Sequence, residues 1–139
     1  MDSKIIKKLF KLCEKSLKKN EFPVAAIIYN ENKIISCGYN TRNKSKQTID
    51  HAEIKAIIKA NKKLNTWKLT NTCMIVTLEP CEMCKTVIKE ARIDKVYYLV
   101  SRYDFKKQNK RTIFQPLEYN SDELFKYKQD IKQFFINKR

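Results

Sequence analysis

From residue 73 to residue 100 the chain reads strand, helix, strand, and that unit constrains the rest of the fold. CMIVTL (73–78) is a short apolar run suited to a buried strand. CEMCKTVIKEAR (81–92) turns Met83, Val87, Ile88 and Ala91 inward at helical spacing, and KVYYLV (95–100) is again rich in strand formers. Strands joined through a helix pair in parallel with a right-handed crossover, so the chain is an α/β protein.

The flanks agree with this reading. Ile5, Ile6, Leu9, Phe10, Cys13 and Leu17 recur every three to four residues over 4–19, which predicts an amphipathic helix lying on a core. PVAAIIYN (23–30) and KIISCGYN (33–40), separated by Glu31 and Asn32, predict a β-hairpin. Gly38, the single glycine, is read as a bulge or turn. TRNKSKQTI reads as a polar loop leading into DHAEIKAIIKANKK, a helix that starts near His51 with Ile54, Ile57 and Ile58 at helical spacing. SRYDFKKQNKRT (101–112) is a basic loop, and TIFQPLEY offers a short strand before Pro116. The last stretch opens on the capping pattern Ser121, Asp122, Glu123 and carries Leu124, Phe125, Tyr127, Ile131, Phe134 and Phe135 on one broad face. No repeat or linker interrupts the 139 residues, so one domain spanning 1–139 around a mixed sheet is expected.

Chemistry enters at EPCEMC. Proline is favoured in a first helical turn, which puts Glu79 near the cap, Pro80 just inside, and Cys81 and Cys84 on one face at i and i+3. A helix N-terminus lowers thiol pKa and favours the thiolates a metal needs. Taken alone, CEMC could equally be two core cysteines or a redox pair. Likewise DHAE alone could be a capping box with Asp50 as N-cap and Glu53 at N3. Together, the only histidine in an H-x-E and a P-C-x-x-C about 30 residues later make the signature of zinc-dependent nucleobase deaminases. His51, Cys81 and Cys84 would then hold one zinc with a fourth position open to water. Glu53, not a ligand, would shuttle protons from that water to the ring nitrogen and the departing ammonia.

Between Glu21 and Val100 the chain resembles the bacterial tRNA-specific adenosine deaminases, which convert the wobble adenosine of an anticodon to inosine. The resemblance rests on EFPVAAII, the Asn of GYN, HAEIKAI, VTLEPCEMC and ARI-x-x-VYY. It implies a cytidine deaminase-like fold, a three-layer α/β/α sandwich with about five strands. It also implies one zinc per subunit, a tRNA anticodon stem-loop as partner, and a homodimer whose partner helps form the RNA site. By position, Asn40 matches the residue that hydrogen-bonds the flipped nucleotide, with Pro23, Val24 and Ala52 beside it. Asn40 also reads as a plain turn residue after Gly38. The chain departs from the family pattern at Lys85, Thr86 and Val87, where small residues are usual, and in the glycine-free loop 101–112.

With 30 Lys and Arg against 15 Asp and Glu, the net charge of +15 suits a polyanionic partner. The Lys, Asn and Ile usage of an AT-rich genome would produce the same balance. In the basic loop Tyr103 and Phe105 could stack on bases while Lys106, Lys107, Lys110 and Arg111 meet phosphates, unless the loop is simply solvated. Five unevenly spaced cysteines suit a reducing cytoplasm, no apolar run approaches a membrane span, and Lys threaded through the N-terminus argues against export. Two alternatives stay open: a guanine or cytosine-type deaminase acting on a free base or nucleoside, and a non-catalytic, zinc-containing RNA-binding partner subunit.

Overall fold

Residues 23–40 form the expected hairpin. β1 (Ala25–Asn30) pairs antiparallel with β2 (Lys33–Tyr39). Glu31 and Asn32 turn the chain with positive φ values of 49° and 67°, the left-handed pair that matches the twist of a two-residue hairpin. This computed structural model describes residues 3–102 and 113–137, in two compact units, Met1–Lys106 and Lys107–Arg139.

In the first unit β3 (Cys73–Leu78) lies antiparallel to β1 on its other side, and β4 (Lys95–Val100) runs parallel to β3, as the βαβ reading requires. The order β2-β1-β3-β4 makes a mixed sheet of four strands among the described residues, where about five were expected. The stretch from Ile113 to Tyr119 supplies no strand: Pro116 cannot donate to a ladder, and these side chains are exposed.

Alternation along β1 explains why a continuous apolar run is a strand here. Ala26 and Ile28 face one layer, Ala25, Ile27 and Tyr29 the other, and all are buried. On the first face lie α3 (Ala52–Leu64) and α4 (Glu82–Glu90), packing Ala56, Ile57, Ala60 and Ile88 against β1 and β3. On the other lies α1 (Ser3–Lys18), giving the three-layer α/β/α arrangement. The buried stripe of α1 is Ile5, Leu9, Leu12, Cys13 and Ser16, whereas Phe10 and Leu17 are 52% and 58% exposed. The apolar pattern is wider than the face that one sheet covers, so its flank stays in water.

Gly38 is neither a turn nor the bulge. Its φ is not positive, and the ladder slips where Ile28 pairs Ser36 and Tyr29 pairs Ile34, leaving Ile35 as the extra residue. Gly38 is needed for close approach: a Cβ there would lie 2.5 Å from the Ala52 carbonyl oxygen and 2.9 Å from the Ala56 nitrogen. The polar stretch after β2 contains one helical turn, α2 (Arg42–Ser45), where only loop was expected.

The second unit is described by α5 (Asp122–Asn137), capped by Ser121, whose Oγ accepts the Leu124 N–H at 3.1 Å as the sequence predicts. Phe125, Tyr127, Phe134 and Phe135 on this helix are exposed. No helix among the described residues is long and apolar enough to cross a membrane.

Candidate active site

Two helix beginnings meet at the site. His51 is the N-cap of α3 and Cys81 the N-cap of α4, both with extended backbone (φ −77°, ψ 153° and φ −69°, ψ 171°), and neither makes a side-chain cap hydrogen bond. A cap of that kind stabilises a helix by about 1 kcal/mol, so both positions forgo it and direct their side chains elsewhere. This corrects two local expectations. Asp50 is not the N-cap, so Glu53 falls at N2 and D-x-x-E forms no capping box; Pro80 lies just before the cap of α4, not inside its first turn.

Cys84, three residues after Cys81, is buried beside it, and His51 Nδ1 lies 3.7 Å from Cys81 Sγ and 3.4 Å from Cys84 Sγ. The three ligand atoms all fall within 4.8 Å of one another. Tetrahedral zinc with Zn–S near 2.3 Å and Zn–N near 2.05 Å sets its sulfur and nitrogen ligands about 3.6 Å apart, so the two nitrogen–sulfur spacings suit one zinc. Three protein ligands leave a fourth position for water or substrate.

The electrostatics favour thiolate at Cys81. Cys81 is lowered to about 3, first by the hydrogen bond from Cys84 and then by His51. Cys84 is raised, because it keeps the proton that the two sulfurs share and is itself buried. Glu53 is 2% exposed, and burial lifts its carboxyl above the ordinary range, opposed by its own backbone N–H and reinforced by the charge of Cys81. A buried carboxyl with a raised pKa, beside two sulfurs and two residues from the imidazole, can hold a proton and release it nearby.

Asn40 keeps a structural role. Its Nδ2 donates to the Phe22 carbonyl at 3.2 Å, its Oδ1 accepts the Arg42 N–H at 3.1 Å, and its own N–H bonds the Val24 carbonyl at 3.0 Å. An amide can make about four hydrogen bonds, so turn duty leaves capacity for a base. Val24 and Ala52 are buried and Pro23 is half-buried. Arg42 was not singled out from the sequence: its Nη1 sits 3.3 Å from His51 Nε2, so one residue links Asn40 to the ligand histidine. An arginine in a polar loop gives no periodicity by which to find it. Tyr103, Phe105, Lys106, Lys107, Lys110 and Arg111 lie outside the described residues.

An α/β/α sheet whose helix starts bring one imidazole, two sulfurs and a buried carboxyl together defines a zinc-type deaminase centre. The family model for the cytidine and deoxycytidylate deaminase zinc-binding region matches residues 1–100, and the chain belongs to that family. Its curated relatives include the tRNA-specific adenosine deaminase of Streptococcus pyogenes, 44% identical over 95 residues, which are 68% of this chain and 60% of that protein. A second, from Buchnera aphidicola, is 34% identical over 126 residues, covering 86% of this chain and 83% of that protein. The chain spans 56% to 60% of the length of the streptococcal relatives it matches. Among solved structures, one from work on A-to-I editing by tRNA:A34 deaminases at the wobble position of transfer RNA is 28% identical, with TM-score 0.63 over 68% of this chain and 76% of that one. Guanine deaminase from Bacillus subtilis shares the fold at 23% identity, with TM-score 0.79 over 96% of this chain and 95% of that one.

Proposed function

We propose that this chain hydrolyses the wobble adenosine of a tRNA anticodon to inosine, releasing ammonia. The observation that carries the reading is Glu53, a buried non-ligand carboxyl whose pKa is raised, set two residues after His51 beside the Cys81–Cys84 pair. The named activity of the streptococcal and Buchnera relatives supplies the substrate class.

His51, Cys81 and Cys84 would hold the zinc, which when bound acidifies water and makes it a nucleophile near neutral pH. Glu53 takes a proton from the water and passes it to the purine ring nitrogen. The same carboxyl then serves the amino group that leaves as ammonia, so one adenosine and one water give one inosine and one ammonia. Asn40, Pro23, Val24 and Ala52 are assigned to holding the flipped base. The basic segment with Tyr103, Phe105, Lys106, Lys107, Lys110 and Arg111 is assigned to the anticodon stem-loop. A homodimer completes the proposal, and the five free cysteines suit the reducing compartment of a cytoplasm.

The test offers the purified protein an anticodon stem-loop with adenosine at the wobble position and, separately, free adenine, guanine and cytidine. Inosine in the RNA alone is the expected result, and guanine turnover without RNA turnover would replace the reading with a free-base deaminase. Glu53→Ala should keep about one zinc per chain while ammonia release falls by roughly 10²- to 10⁴-fold. Unchanged release would leave a metal protein with no catalytic carboxyl.

A further inference from the structure

Glu79 is neither a ligand nor the proton carrier, yet the chain around the metal loop converges on its carboxylate. Oε2 accepts from Lys85 Nζ at 2.8 Å, while Oε1 accepts from the Arg102 backbone N–H at 3.2 Å and from Ser101 Oγ at 3.3 Å. Its main chain is held on the same side. Glu79 N–H bonds the Val100 carbonyl at 2.8 Å, and Arg102 Nε donates to the Glu79 carbonyl at 2.9 Å.

The placement gives these bonds meaning. β3 ends at Leu78 and Cys81 caps α4, so only Glu79 and Pro80 connect them. Proline fixes its own φ near −65° and confines the residue before it to extended conformations, so the two-residue connector is stiff and whatever anchors Glu79 also anchors the start of α4. Lys85 follows Cys84 directly, and its backbone N–H bonds the Cys81 carbonyl at 2.9 Å. The Glu79–Lys85 ion pair therefore brackets the segment that carries both sulfurs.

We infer that Glu79, clamped by Lys85 on one side and by Ser101 and Arg102 on the other, is a positioning residue that sets the Cys81–Cys84 pair for the metal. A general stabilising role is the weaker account. The Lys85 and Glu79 side chains are 39% and 20% accessible, and ion pairs this open to water contribute little to folding. Ligand geometry is more sensitive: a metal site tolerates only a few tenths of an ångström, and residues behind the ligands commonly change affinity 10- to 100-fold.

The experiment uses the full zinc-loaded chain and follows zinc release to a chromogenic chelator, a readout independent of any substrate and so of the proposed reaction. Glu79→Ala should release zinc roughly 10- to 100-fold faster while the thermal midpoint of the metal-free protein stays at the wild-type value. Glu79→Gln keeps an oxygen acceptor for Ser101 and Arg102 and loses only the charge toward Lys85; its release rate should fall between, alongside Lys85→Met. Wild-type release from all three variants would overturn the inference. So would a metal-free midpoint that drops in Glu79→Ala with no recovery in Glu79→Gln, because that pattern marks a general brace.

Discussion

Glu53 illustrates how a functional group is held against its own solvation. At 2% exposure its ionised form is disfavoured, and its folded pKa lies above the value near 4.3 of an exposed glutamate. Between the unfolded and folded values the native chain binds more protons than the unfolded one, so stability falls as pH rises through that window and stays lower above it. Below the unfolded value the penalty vanishes. Glu53→Gln, neutral and of equal size, escapes it: the metal-free variant should melt above the metal-free wild type at pH 7 and level with it near pH 4. Thermal denaturation at the two pH values checks this, and equal midpoints at both would mean that the carboxyl is not desolvated. Under the proposed mechanism the same substitution removes the proton carrier, so stability gained at this position would be activity lost.

Between elements, the contact that sets the site is the crossing of β2 over α3. An alanine Cβ at Gly38 would stand 2.5 Å from the Ala52 carbonyl and 3.0 Å from Lys55 Cβ, and backbone cannot yield as a flexible side chain does. Gly38→Ala should cost about 1–3 kcal/mol by chemical denaturation, as overpacking does. Because Ala52 lies between His51 and Glu53, it should also lower zinc content and turnover; wild-type zinc content with a lowered midpoint would show that α3 moves as a rigid rod. The sequence did not disclose this contact, since a glycine in a strand looks the same whether it bends or is crossed. The hairpin, the βαβ unit and the presence of the helices were legible because period-2 and period-3.6 patterns report burial directly. The grouping of His51, Cys81 and Cys84 was legible because a lone imidazole and a C-x-x-C at a helix start, taken together, match the donor set of one metal ion. The Asp50 cap misled because the local capping pattern is satisfied by letters that the backbone then uses one position later. The faces of α1 and the roles of Arg42 and Glu79 depend on what packs beside them, which no window of the chain contains.

For the whole molecule, the question is whether a net charge of +15 serves the reaction or only reflects amino-acid supply. Salt dependence separates these, because each phosphate neutralised by a cation releases counterions and each released ion steepens the fall of log K with log salt by about 0.7–0.9. Charge spread without purpose gives no position-specific slope. If the segment 101–112 meets the anticodon backbone, replacing Lys106, Lys107, Lys110 and Arg111 together by Ala should make the slope shallower by about 3, four contacts at that increment. Zinc content and turnover at saturating RNA should be retained, because the ligands and Glu53 lie on α3 and α4 and at their starts. Binding titrations of an anticodon stem-loop between about 50 and 200 mM salt measure the slope directly. An unchanged slope in the quadruple variant would place those cations in solvent, and RNA recognition would then fall to the cations of the first unit around Arg42.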